Sequence, residues 1–185
     1  MSNLLVQNIK HTNGTTAQTI DSSGNTTLSG NTTLSGKLTQ SNLVVFEAYY
    51  TGSNLSVNSG SNAGLTYNNV EQQGGTNYST STGKFTVPIT GFYQFNLINN
   101  IYEVNSGNFF RHGLIANGTG YSTDQALLFT WLVVSSTGDY TISSAHCRKY
   151  TAGDTLQPFI RVGENGLGSA GRDYQNFSGF LVTPT

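Results

Sequence analysis

An all-β fold, a sandwich or jelly roll, is what the sequence predicts for residues 42–185, behind an extended N-terminal arm. Three observations carry it. Apolar and polar residues alternate with a period of two in one segment after another, the repeat of a strand with a single buried face. Short clusters of Gly, Ser, Asn and Asp separate those segments, as turns do. No stretch keeps the stripe of an amphipathic helix, with its repeat of about 3.6 residues. Many short strands joined by Gly-rich turns are the material of sandwiches and jelly rolls.

The elements follow in chain order. Residues 1–41 contain no aromatic side chain and are dominated by Gly, Ser, Thr and Asn. We read 1–23 as an attachment arm. Residues 24–41 hold a hexad, Gly-Asn-Thr-Thr-Leu-Ser, twice in tandem with a third begun at Gly36. In strand geometry one face of this repeat is wholly polar and the other cycles Thr-Leu-Gly. Too few hexads are present to stack as a single-chain β-helix. Three chains could each supply one side, with Leu28, Leu34 and Leu38 meeting their copies on a common axis. The expectation is a short trimeric β-stalk.

Composition changes at Leu43-Val-Val-Phe-Glu-Ala-Tyr-Tyr, the expected first strand of the head. Gly83-Lys-Phe-Thr-Val-Pro-Ile puts Phe85, Val87 and Ile89 on one face. Phe92-Tyr-Gln-Phe-Asn-Leu puts Tyr93, Phe95 and Leu97 on one face and Gln94 and Asn96 on the other. Leu127-Leu-Phe-Thr-Trp-Leu-Val-Val and Phe177-Ser-Gly-Phe-Leu-Val are apolar on both faces. An outer face that is apolar needs a cover, either a loop or a neighbouring subunit. We assign Phe129, Trp131 and Phe180 to a subunit interface on that ground. Leu156-Gln-Pro-Phe-Ile-Arg-Val also alternates, and Pro158 marks an edge or a bulge there.

Bulk composition narrows the function. Charged residues make up 9% of the 185 and the net charge is −1, against about 25% charged in an average soluble domain. No basic footprint for nucleic acid or an anionic membrane exists. A charge-poor surface suits packing against copies of itself. Cys147 is the single cysteine, so neither an internal disulfide nor a cysteine-based zinc site is expected. No run approaches the ~20 apolar residues of a membrane-spanning helix. The start, Met1-Ser-Asn-Leu-Leu-Val-Gln, has no charged leader, so no signal peptide is expected.

Candidate chemistry is sparse. His146 and Cys147 are adjacent in a strand-like stretch and point to opposite faces, so they cannot act as a pair; Cys147 is expected to be a small buried residue. Gly163-Glu-Asn-Gly-Leu-Gly lacks the Lys-Ser/Thr of a phosphate loop and reads as a turn. Carboxylates are scattered, with no acid pair of the glycosidase kind in view. Asp124, Asp139, Asp154 and Asp173 fall in expected loops and are the candidates for a calcium ion; no other cofactor is expected. Aromatic side chains near loops could stack on sugars. Tyr102, Phe109, Phe110, Tyr121 and Tyr174 are the candidates for glycan contact, each set against a plain role in the core or an interface.

Two stretches resemble known families. Ser81-Thr-Gly-Lys-Phe-Thr-Val-Pro-Ile-Thr-Gly-Phe-Tyr-Gln-Phe resembles the signature of C1q-type globular heads: a Phe (Phe85), then after five residues Gly-x-Tyr-x-Phe (Gly91, Tyr93, Phe95). Tyr78 stands where the pattern expects an upstream aromatic. Phe46-x-Ala48 and Phe177-Ser-Gly-Phe-Leu resemble that family's first and last strands. Tyr67, Gln73 and Leu97 depart from the preferred residues. The resemblance implies a C1q/TNF-like jelly roll that assembles as a homotrimer, with ligand sites on variable loops and therefore no binding residue to carry over. Separately, Ile9-Lys-His-Thr-Asn-Gly-Thr-Thr-Ala-Gln-Thr-Ile-Asp-Ser-Ser-Gly resembles short segments of tail-fibre and other virion proteins of phages, notably cyanophages.

Together these readings give a non-enzymatic phage virion protein, made in the host cytoplasm and carried on the particle surface. It would be a trimer anchored through residues 1–41 to other virion proteins, its head recognising a host-surface glycan or protein as a tail fibre or adhesin. Capsid decoration is the alternative. A polysaccharide-degrading enzyme and a free cytoplasmic binding module are the readings from other classes.

Overall fold

The computed structural model describes residues 8–10, 16–29, 33, 35, 43–57, 63–118, 126–164, 166–168 and 171–185. The chain forms two compact units, residues 1–40 and 41–185. In the first, β1 (Asn8–Lys10), β2 (Thr16–Ile20) and β3 (Thr26–Leu28) make an antiparallel sheet in that order. Asp21 closes the β2–β3 turn. Its Oδ1 accepts from the Ser23 and Asn25 amides, and its Oδ2 accepts from Asn25 Nδ2. This is the local backbone capture for which Asp is favoured in turns. Those bonds, Asn25's first among them, hold the Asp21 carboxyl below its ordinary range. The first hexad thus enters a strand of its own chain, Leu28 facing Gln18 across the ladder. Leu34 and Leu38 lie outside the described residues.

The second unit is all-β among its described residues. Its strands are β4 (Val45–Tyr49), β5 (Leu55–Val57), β6 (Ala63–Gly64), β7 (Asn69–Gln73), β8 (Tyr78–Ser79), β9 (Lys84–Thr86) and β10 (Gly91–Val104). There follow β11 (Phe109–Ala116), β12 (Ala126–Val133), β13 (Gly138–Tyr150), β14 (Thr155–Val162), β15 (Gly166–Gly168) and β16 (Gln175–Pro184). One sheet runs β13–β10–β16–β4–β7, and the end of β10 also pairs with β15, which pairs with β5. The other runs β12–β11–β14–β9–β8, with β6 on β14. All the ladders are antiparallel. The first and last long strands of the head, β4 and β16, lie side by side, so residues far apart in sequence seal one sheet.

The alternation read from the sequence is what fills the space between the sheets. Tyr93, Phe95 and Leu97 of β10, Phe85 of β9, Phe46 of β4 and Phe177 of β16 are fully or nearly fully buried. Their rings touch: Phe46 stacks on Phe85 at 4.3 Å and meets Phe177 edge-on at 4.9 Å, while Tyr78 stacks on Phe46 at 6.0 Å. Such pairs contribute roughly 0.5–1.5 kcal/mol each beyond their buried area. The glycines of the two quoted signatures have a steric cause. A β-carbon at Gly91 would lie 2.4 Å from the Thr183 carbonyl oxygen, and one at Gly179 would lie 2.4 Å from the Phe95 ring. Ring and backbone occupy the room that any other residue would need.

Pro158 sits in β14 opposite Leu114 of β11. On its other side β14 meets two short strands, β9 at Thr155–Leu156 and β6 at Phe159–Ile160, which leave residues 157 and 158 between them. The Pro158 carbonyl points to that side and accepts from the Leu65 amide at 2.8 Å. The missing N–H falls in the same gap, so no ladder bond is lost. Cys147 is a correction. It is exposed rather than buried, because β13 pairs it with Gln94 on the outer face.

Candidate functional site

The inward-facing polar residues come first, because a buried polar cluster is where catalysis would be sought. Asn99 continues the inward parity of Tyr93, Phe95 and Leu97, and His112 that of Phe110 and Leu114; both are wholly buried. Asn99 Nδ2 donates to the Tyr67 hydroxyl at 2.8 Å and to Gln175 Oε1 at 2.7 Å. Gln175 Nε2 donates to the Asn100 carbonyl at 2.5 Å. Asn99 Oδ1 therefore accepts from His112 Nδ1–H at 2.9 Å. His112 Nε2 is left to accept from the Ser144 hydroxyl at 2.5 Å, and Ser144 in turn accepts from Thr130 at 2.9 Å. Burial pushes the His112 imidazole down to about 3, which makes it neutral, and the Asn99 oxygen sets the tautomer. Burial likewise pushes the Tyr67 phenol well above its ordinary value. The network ties β10, β13 and β16 of one sheet to β11 and β12 of the other.

One carboxylate pair that the sequence hid is assembled by the fold. Glu47 of β4 and Glu71 of β7 stand directly opposite each other. Arg172, in the turn before β16, bridges them. Its Nε donates to Glu47 Oε1 at 2.9 Å, its Nη1 to Glu71 Oε1 at 2.9 Å, and its Nη2 to Glu47 Oε2. Asn176 Nδ2 donates to Glu47 Oε1 at 2.6 Å, and the guanidinium lies 4.8 Å over the Tyr49 ring. The bond from Arg172 holds the Glu47 carboxyl below the ordinary range. A general acid needs the opposite shift, so this pair serves as a clamp between strands.

The remaining candidates are the outer faces, and they differ from end to end. On the β13–β10–β16–β4 face, Phe92, Phe180, Val182 and Val45 are exposed, with Phe180 at 43% and Val182 at 53%. Val45 pairs with Phe180, which pairs with Gln94. They cluster at the end where the head's chain begins. Toward the middle this face turns small and polar, with Asn96, Ser143, Ala145 and Ser178. A shallow depression of about 350 Å3 there, lined by Asn96, Leu97, Ile98, Ser143, Ser144 and Ala145, has no ionisable group.

The β12–β11–β14 face carries a second cluster at the opposite end. Trp131 is 57% exposed and Val133 64%. Arg111 lies opposite Trp131 on one side and Arg161 on the other. The Phe109 ring takes both guanidiniums, at 5.7 and 5.8 Å, and meets Trp131 edge-on at 5.9 Å.

The expected site residues are therefore divided. Trp131 and Phe180, grouped in one interface by the sequence, stand on the outer faces of different sheets. The strand holding Phe129 pairs it with Gly113; its side chain lies outside what is described. Leu28 is 49% exposed. Phe110 is fully buried, which removes it as a glycan contact. Tyr102 is half-buried and its hydroxyl accepts from Asn54 Nδ2. Tyr174 is exposed, in the turn whose carbonyl accepts from the Asn100 amide. Tyr102 and Tyr174 thus share the same end of the head as Phe109, while Tyr121 is outside the described residues. The described aspartates are not brought together. Asp139 accepts from the Glu103 amide, and Asp154 accepts from the Thr151 amide and from Asn117. Asp173 is exposed and Asp124 is not described. Among the described residues, no three His, Cys, Asp or Glu side chains converge to hold a metal.

No protein-family model matches the chain, and no curated protein matches it in sequence. Solved structures do. The globular domain of zebrafish complement 1qA protein aligns at 17% identity over 77% of this chain and 99% of its own, with a TM-score of 0.57. The head is a C1q/TNF-like jelly roll. Eiger TNF from S. frugiperda aligns at 14% identity over 77% of this chain and 94% of its own, with a TM-score of 0.56. Murine APRIL aligns at 13% over 76% and 99%, with a TM-score of 0.57. The likeness is one of fold. In this C1q/TNF-like head, the residues that carried the sequence resemblance are the ring stack and the two glycines that make room for it.

Proposed function

We propose that the chain is a non-enzymatic phage virion protein, a homotrimer held to the particle through residues 1–41, whose head recognises a host-surface glycan or protein as a tail fibre or adhesin. The observation that carries this reading is the division of the head's surface. The single chain leaves an apolar cluster of Val45, Phe92, Phe180 and Val182 uncovered at the end where the head begins. Water is a poor cover for such a cluster, and a second subunit is a good one. A threefold ring closes through head-to-tail contacts, in which one patch meets a different patch of the next copy. The far end carries the exposed aromatic side chains of Trp131 and Tyr174, which suits presentation outward.

Calcium is not required by this reading, and neither nucleic acid nor membrane insertion enters it. The phage setting is supported by the resemblance of residues 9–24 to virion proteins. Capsid decoration is the second reading. It is favoured by the small, uncharged residues in the middle of the β13–β10–β16 face, which suit close packing on a protein shell. Electron microscopy of virions with a labelled antibody separates the two: recognition predicts label on the tail, and label on the capsid shell overturns it.

A further inference from the structure

The three-stranded sheet of the arm keeps one face uncharged and half open. Ile9 of β1, Gln18 of β2 and Leu28 of β3 pair directly across the ladders, so they make one row on one side. Strand spacing makes that row about 10 Å wide. Ile20, two residues along β2, extends the same side. Ile9 and Leu28 are each 49% exposed, and Gln18 and Ile20 are half-buried. The described charges nearby lie off this side. Lys10, next to Ile9 in its strand, alternates to the other face, and the Asp21 carboxylate is held in the β2–β3 turn by the Ser23 and Asn25 amides. A sheet of three strands needs its apolar face packed to be stable. Residues 1–40 form one compact unit, at the size of about 40 residues below which disulfides, a metal or oligomerisation are usually needed. The sequence of this unit holds no cysteine, one His and one acidic residue, too few for the four ligands of a structural zinc site. Oligomerisation remains, and Gln18 points to the partner. It stands in the middle of the row, between Ile9 and Leu28. An apolar surface of another protein would bury that amide unpaired, which is costly. Copies of itself would not, because an amide both donates and accepts. Three of them around an axis close a ring in which each donates to the next. A single polar residue in an apolar seam fixes register and copy number in this way in coiled coils. An uncharged face also meets its own copies without like-charge repulsion.

We propose that the face of Ile9, Gln18, Ile20 and Leu28 is where the arms of three copies meet. The three sheets form the sides of a triangular prism, with Gln18 nearest the axis and Leu28 of each copy packed on Ile9 of the next. The contact is head-to-tail, as closure of a ring requires. In the stalk expected from the hexad each chain supplies one strand. Here each supplies three, and Ile9, Gln18 and Ile20, all outside the hexad, carry the contact together with Leu28. The prism deepens the homotrimer reading and rests on it.

Cysteine cross-linking of the full chain tests it, in a Cys147→Ser background. Ile9→Cys combined with Leu28→Cys should give covalent trimers on complete oxidation, read on a non-reducing gel. Within one chain these positions stand two strands apart, about 10 Å, beyond the ~7 Å between Cα atoms that a disulfide spans. Ile9→Cys combined with Thr27→Cys moves one thiol to the opposite face and should remain single chains. Gln18→Glu gives a second reading at unchanged side-chain size. On an open face it is harmless, whereas at the centre of three copies it sets three carboxylates together. Tryptic cleavage at Lys10 and Lys37 should then speed up about tenfold or more at pH 7, while the head stays resistant. No covalent trimer, cross-linking that stops at dimers, equal cross-linking of the Thr27→Cys control, or unchanged cleavage in Gln18→Glu each overturns the prism. If the parent still sediments as three copies, the homotrimer reading stands without it. A parent that sediments as one copy sinks both. Resistance of the parent's arm seen only in intact virions gives the face to another virion protein and overturns the proposal.

Discussion

A methyl group added at Gly179 would have to displace the Phe95 ring, which lies 2.4 Å from where its carbon would sit. Phe95 touches Phe46, Phe85, Tyr93, Tyr150 and Phe177, so it has nowhere to move alone. Gly179→Ala should cost about 1–3 kcal/mol, the range for overpacked cores, read as a lower denaturant midpoint with an unchanged slope. His112 makes a different prediction. Its imidazole falls from the ordinary 6.5 to about 3 in the folded head. Below the ordinary value the unfolded chain binds a proton that the folded one refuses, so stability falls as pH drops from about 6.5 toward 3. The slope is about 1 kcal/mol per pH unit for one such group. The side chains bonded to or around it are Asn99, Gln175, Ser144, Thr130 and Tyr67, none of which titrates in that window. Glu47, held low by Arg172, adds its own loss only below its ordinary 4.5. Thermal melts between pH 6.5 and 5 should show the slope in the parent and a smaller one in His112→Gln, the remainder coming from His146, whose imidazole is also held below its ordinary value by burial and by Arg148. This network was legible only in part. Asn99 and His112 sit on core parity in the sequence, and a polar residue on core parity is the signal that was there to be used. Tyr67 and Gln175 come from segments whose nearness only the sheet order creates.

Elements were legible where one face is buried, because burial imposes the period of two. β10 is the clearest case, since its burial alternates from Gly91 to Asn99. The clamp between β4 and β7 was not legible: Glu47, Glu71 and Arg172 meet because β4 pairs with β7 and β16, and neither pairing is written in local pattern. Cys147 was misplaced for a related reason. Thr141–Cys147 alternates weakly, so nothing local says which parity faces the core. In the arm, the hexad's six-residue order predicts a stalk in which Leu28 and Leu34 meet their copies. Leu28 lies in β3 and is half exposed on the chain by itself, so a partner could still cover it. Leu28→Asn combined with Leu34→Asn should make residues 1–41 more sensitive to protease while the head stays resistant. Equal digestion of parent and variant arms would refute the stalk.

At the scale of the molecule, the sandwich was legible from strand period, turns and the ring-and-glycine signature together. What was not legible is how the outer faces divide. The sequence marks two segments as apolar on both sides and cannot say that their outer sides belong to different sheets and opposite ends. The account's central claim is that the cluster of Val45, Phe92, Phe180 and Val182 is covered by another copy and that the protein works in threes. Sedimentation equilibrium of the full chain at micromolar concentration tests this most directly. The account predicts a single species of three times the 19.8 kDa chain mass, and a species of one chain mass would contradict it.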